Sequence, residues 1–177
     1  MNACHGSDAP DTASQELGFF FSPGASSLGK CDLGRGTTLC VIKPHTVLDG
    51  AAGLVLDIIQ DHFVITALRQ VHLDKVAAAE FLEVYKGVLV AGEFNSMVDE
   101  MVSGPCVAVE VADRDGASPV EAFRELCGPM DPELGRVLRP KSIRAQFGLN
   151  KMRNAVHCTD LPEDGQLEVE YMFSLLP

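Results

Sequence analysis

The seven residues Asn154-Ala155-Val156-His157-Cys158-Thr159-Asp160 set an imidazole beside an amide, a hydroxyl and a carboxylate. Histidine titrates near pH 6.5, so His157 can serve as nucleophile, general base or metal ligand. No second His or Cys stands at ligand spacing, and Cys158 on an extended segment would face the other way, so no metal ligand set is expected. A Ser-His-Asp hydrolase needs a nucleophile elbow, and no G-x-S-x-G occurs. Histidine as the covalent nucleophile is the sharper reading. Glu168, eleven residues on, would orient the ring as the third member of a triad does.

A histidine that accepts a phosphoryl group needs positive charge around three oxygens, which arginine supplies best. Arg124, Arg136, Arg139, Arg144 and Arg153 all fall shortly before His157, in a chain with 14 Lys and Arg against 25 Asp and Glu. Arg124 and Arg144 are the expected phosphate contacts; Arg136 and Arg139 read as loop-face charges. No P-loop is present, so side chains must hold the phosphates. Lys43 ends a short apolar run, where strands of α/β sheets commonly face a ligand, and is expected to contact an anion. His5, His45, His62 and His72 read as surface or satisfied residues.

The histidine stretch occurs twice. Asn2-Ala3-Cys4-His5-Gly6-Ser7-Asp8 repeats it 152 residues earlier, and Asp11, Glu16 and Phe19-Phe20-Phe21 answer Glu163, Glu168 and Tyr171-Met172-Phe173. Such a period has the length of a whole domain rather than of a solenoid unit. Residues 1–21 are therefore expected to be the tail of a preceding domain, 22–37 a Gly/Ser-rich linker, and 38–177 one complete domain.

The formal net charge of −11 argues against nonspecific binding to nucleic acid or to anionic membrane. Six cysteines without C-x-x-C spacing suit reduced thiols, and no apolar run reaches membrane-spanning length. A soluble, intracellular protein is expected.

Periodicity predicts the elements that position these residues. Thr38–Ile42 and Cys106–Val111 read as strands and 63–73 as another. An amphipathic helix carries Ala51, Leu54, Val55, Ile58, Ile59 and His62 on one stripe. Asp74 would cap a helix through Val84, and Gly92–Met101 is helical. Ser118 with Glu121 suggests a capping box for a helix to Leu126. Gly128–Lys141, with three prolines, reads as a long surface loop. Ser142–Phe147 is a turn of helix, Asn154–Cys158 a short strand and Glu163–Phe173 a closing helix. The order is a split βαβ pattern, giving an α+β, ferredoxin-like antiparallel sheet backed by helices.

Thr38 to Lys43-Pro44, Ser103-Gly104-Pro105, Arg124, Gly128-Pro129-Met130-Asp131-Pro132, Ile143-Arg144 and Asn154 to Asp160 together resemble the nucleoside diphosphate kinase family, whose signature is N-x-x-H-[GC]-[ST]-D. The resemblance covers residues 38 to about 173 and is closest to the family's tandem branch, associated with cilia and centrosomes. It implies ping-pong transfer of a γ-phosphate between nucleoside tri- and diphosphates through a phosphohistidine at His157, with Mg²⁺ bridging nucleotide phosphates. It implies that Lys43 binds phosphate and sugar, Arg124 and Arg144 the phosphates and Asn154 the ribose, while Glu168 and Thr159 orient His157. Homo-oligomers, a cytoplasmic setting at a cilium, axoneme or centrosome, and tubulin or axonemal partners are further implications. Where the family has a tyrosine near the histidine, Leu82 is expected; Met130 stands in place of a phosphate-contacting threonine. No phenylalanine is assigned to stack on the base. These departures support an alternative, a structural component of ciliary microtubules.

Overall fold

The computed structural model describes residues 4–21, 33–34 and 36–176. Most of the expected linker, together with Asn2, Ala3 and Cys31, lies outside the described residues. The chain divides into two compact units, Met1–Asp32 and Leu33–Pro177. In the first, helix α1 (Pro10–Phe21) buries none of its residues. His5 Nε2 lies 3.1 Å from a Glu16 carboxylate oxygen, and the Ser7 hydroxyl donates to the same side chain.

The second unit is built on four strands, β1 (Thr38–Ile42), β2 (Val64–Val71), β3 (Cys106–Ala112) and β4 (Val156–Cys158). They form one antiparallel sheet in the order β2-β3-β1-β4, so the sequence expectation of a ferredoxin-like sheet holds. The central strand β1 reads as a short apolar run, and β3 as one broken only by the buried Glu110, because both faces are covered. Leu39, Val41, Cys106 and Ala108 pack with Phe81, Met97, Met101 and Met172 on one face. Cys40, Ile42, Val107 and Val109 pack with Val55, Ile59, Phe123 and Ile143 on the other.

The helices that supply these residues are α3 (Ala52–His62), α4 (Lys75–Phe81), α5 (Ala91–Met101), α6 (Val120–Cys127), α8 (Ile143–Phe147) and α9 (Gly165–Glu170). A short α2 (Pro44–Leu48) follows β1 directly, started by Pro44 in the first turn, where a missing N–H costs nothing. Asp74 caps α4 as expected, its carboxylate accepting the Ala77 N–H.

Three sequence expectations are corrected. Ser118 does not cap α6: Pro119 occupies the cap position and no side-chain cap bond forms. Residues 128–141 are not one loop but contain α7 (Pro132–Leu138), capped by Asp131 with Pro132 at its first position. The stripe on α3 is narrower than its period suggested, with Val55 and Ile59 buried and Leu54 exposed.

Candidate active site

His157 sits in the middle of β4, and strand alternation separates it from its neighbours. Val156 and Cys158 enter the α3/α6/α8 core, while His157 faces α4, its ring edge-on to Phe81 with centroids 4.8 Å apart. Its Nε2 lies 3.0 Å from Glu168 Oε2 on α9. The same carboxylate oxygen accepts the Thr159 hydroxyl at 2.9 Å, and Thr159 Oγ1 accepts the Leu39 N–H at 3.2 Å. A carboxylate oxygen can only accept, so the His157 proton sits on Nε2. Nδ1 keeps its lone pair, and His157 lines a cleft of about 800 Å³.

Lys43, Arg124, Arg144 and Asn154 line the same cleft, so the structure brings the predicted cationic and amide groups together around the histidine. Lys43 follows β1 directly, and its N–H donates to Ala155 O and its Nζ to Met152 O, both at 2.9 Å. Burial, and after it the Arg144 charge, lowers this ammonium to about 7.

Arg144 lies across the cleft floor, donating to Gly128 O at 2.8 Å, to Val156 O at 3.2 Å and to Cys158 Sγ at 3.5 Å. A guanidinium has five N–H donors, which these bonds do not exhaust. Gly128 is required here: its φ is +81°, and a Cβ would stand 2.2 Å from Ser142 Oγ. The thiol of Cys158 is held below the usual range by a hydrogen bond from Cys127, with Arg144 and His157 adding to it against burial.

Arg124 is more exposed and pairs with Asp160, Nη2 to Oδ1 at 3.4 Å, and also donates to the Asp160 carbonyl. Asn154 Nδ2 donates to Met130 O at 3.0 Å, whereas its buried Oδ1 has no partner among the described residues.

Sequence reasoning missed Tyr85. Leu82 is buried, as an apolar residue should be, but Tyr85 follows it on a 3-10 turn (Glu83–Tyr85) and brings its own ring within 6.5 Å of His157. Its hydroxyl donates to Asp160, so a tyrosine does stand beside the histidine. Burial first, and then this bond, raise its pKa. The signal was the three-residue step between Leu82 and Tyr85, one turn of helix. Arg139, read as a loop-face charge, lines the cleft and pairs with Glu125 at 2.9 Å. Arg136 instead donates to Gly148 O at 2.6 Å. Phe94 packs in the core rather than against the cleft. His45 is satisfied, as expected, by Glu100.

The family model for nucleoside diphosphate kinase matches residues 36–176, the span that folds into this sheet and cleft. The chain belongs to the nucleoside diphosphate kinase family. It is 48% identical over 178 residues to "Nucleoside diphosphate kinase homolog 7" of Rattus norvegicus, covering 99% of this chain but only 44% of that protein. It is 39% identical over 138 residues to "Nucleoside diphosphate kinase" of Aquifex aeolicus, covering 77% of this chain and 93% of that one. A crystal structure of the Aquifex aeolicus nucleoside diphosphate kinase superposes with a TM-score of 0.70, covering 78% of this chain and 94% of the other. No helix of this family member is long and apolar enough, among the described residues, to cross a membrane.

Proposed function

We propose that this chain is a nucleoside diphosphate kinase that moves the γ-phosphate of a nucleoside triphosphate to a nucleoside diphosphate through a phosphohistidine at His157. The observation that carries the proposal is the His157 Nε2–Glu168 bond, which leaves Nδ1 as the free nitrogen in a cleft shared with Lys43 and Arg144. In the first half-reaction Nδ1 forms a bond to the γ-phosphorus, the bond to the bridging oxygen breaks, and the diphosphate leaves with both electrons. The Nε2 proton stays on the ring, hydrogen-bonded to Glu168, whose charge stabilises the positive ring as it develops. The second half-reaction reverses these steps with a new diphosphate. Lys43, Arg144 and Arg124 meet the phosphate charge; Arg124 must exchange Asp160 for the nucleotide to do so. Asn154, which lines the cleft, is the residue for the ribose.

Mg²⁺ is the expected cofactor, and the cleft carboxylates test the fit. Asp160 is engaged by Tyr85 and Arg124, and Glu125 by Arg139, and with Glu121, the third carboxylate of the cleft, they form no metal-holding cluster among the described residues. The metal fits as an ion carried by nucleotide phosphates, its usual manner of binding.

Residues 1–21 read as the tail of a preceding domain of the same kind. His5–Glu16 at 3.1 Å and His157–Glu168 at 3.0 Å share one spacing, each with a hydroxyl two residues after the histidine donating to the glutamate. The family resemblance also supports homo-oligomers, and the tandem branch a cytoplasmic or ciliary setting and axonemal partners such as tubulin. Met130 in the cleft and Arg124 held by Asp160 favour a second reading, a structural component of axonemal microtubules with weak activity.

Incubation with γ-labelled ATP and Mg²⁺ should give an acid-labile label that His157→Ala abolishes. An unlabelled wild-type chain rejects the catalytic reading and leaves the structural one.

A further inference from the structure

Two residues before His157 the backbone takes a rare form. Ala155 has φ +71°, and the Val156 N–H closes back on Asn154 O at 2.9 Å. This three-residue turn with positive φ is uncommon and strained for a residue with a Cβ. Ala155 is also fully buried, so both of its backbone polar groups need partners. Its carbonyl accepts the Lys43 N–H at 2.9 Å and the Thr46 hydroxyl at 3.3 Å. Its N–H donates to His45 Nε2 at 3.3 Å.

That last bond sets the state of His45. With the Ala155 N–H donated to Nε2, which also lies 3.2 Å from Thr46 Oγ1, the ring proton on Nδ1 is donated to Glu100 Oε1 at 2.7 Å. Glu100 is buried on α5; its other oxygen accepts Arg153 Nε at 3.0 Å. Arg153 lies two residues before Ala155, so the path from turn to histidine to glutamate to arginine returns to the segment it started from. Lys43, the N-cap of α2, is a further charged group close enough for Glu100 to act on it.

We infer that His45, oriented by Glu100, is a positioning residue that anchors the strained turn at Ala155 and thereby sets His157 and the Lys43 backbone in the cleft. For its catalytic consequence the inference rests on the phosphohistidine reading above. A glutamine places an amide oxygen near the Nε2 position, whereas leucine fills the volume without an acceptor.

The test is residue-resolved amide hydrogen exchange on the full chain, run with single-turnover phosphohistidine formation for wild type, His45→Leu and His45→Gln. His45→Leu should speed exchange at Ala155 at least tenfold and slow phosphorylation about tenfold, with kcat losing more than KM changes. His45→Gln should stay within about threefold of wild type on both measures. Unchanged Ala155 exchange in His45→Leu overturns the inference. So does a glutamine variant damaged as much as the leucine one, which keeps the test decisive even where leucine prevents folding. Absence of phosphohistidine in the wild type rejects the proposed function instead, and exchange alone then judges the anchor.

Discussion

At the scale of single residues, Lys43 has an environment that makes a measurable demand. Burial and the nearby Arg144 lower its pKa to about 7, so the free protein holds it charged below that pH and neutral above. A bound polyphosphate favours the charged form and raises the pKa again. Nucleotide binding at about pH 8 should therefore take up close to one proton, and affinity should weaken as pH rises above about 7. Titration calorimetry in buffers of different ionisation enthalpy reads the uptake directly. Lys43→Met should remove it, and equal uptake in both proteins rejects the assignment. The sign for folding is separate: the folded pKa lies below the unfolded value near 10.4, so this residue's contribution to stability rises between about pH 7 and pH 10.

The candidate residues of the cleft were legible because residue types are written in the chain, whereas their partners are not. His157, Glu168 and Lys43 could be named from the chain. That Arg144 lies on backbone carbonyls, that Arg124 is held by Asp160, and that Tyr85 reaches the histidine depend on elements far apart in sequence.

At the scale of elements, what could be read was what local periodicity controls. The apolar run of β1 follows from burial on both faces, and Asp74 caps α4 because a short carboxylate suits that place. Helix α7 was hidden by three prolines, although Asp131-Pro132 is itself a start signal once the first helical position is recognised. The turn at Ala155 had no signal at all, since its partners His45 and Lys43 lie over 100 residues away. Helix α9 shows how tightly an element must sit to serve the site. Gly165 opens it, and a Cβ there would stand 2.7 Å from Thr37 O beside β1. Gly165→Ala must push the first turn outward, and that turn carries Glu168. Overpacking of this kind costs about 1–3 kcal/mol, so urea denaturation should show a loss of that size. Phosphohistidine formation should slow with it as Glu168 leaves His157. A stability change below about 0.5 kcal/mol would place the glycine among ordinary surface positions.

At the scale of the whole molecule, the repeat separates what a histidine motif needs locally from what only a complete domain provides. His5, Ser7 and Glu16 reproduce the hydrogen bonds of His157, Thr159 and Glu168 within one short segment. Among the described residues, the sheet, the cleft and its cations belong to the second unit. The two closing segments differ most in what they bury. Met172 is fully buried in its core, but Phe20 at the matching place in α1 is 61% exposed, beside exposed Leu17, Phe19 and Phe21. A cluster of large apolar side chains facing water favours association. Sedimentation velocity should therefore show a mass that grows with concentration, and Phe19→Ser with Phe20→Ser should suppress that growth. The double variant should leave the melting of the second unit unchanged, because its core contains neither residue. A wild-type chain that stays monomeric at every concentration would mean that these phenylalanines are covered in solution.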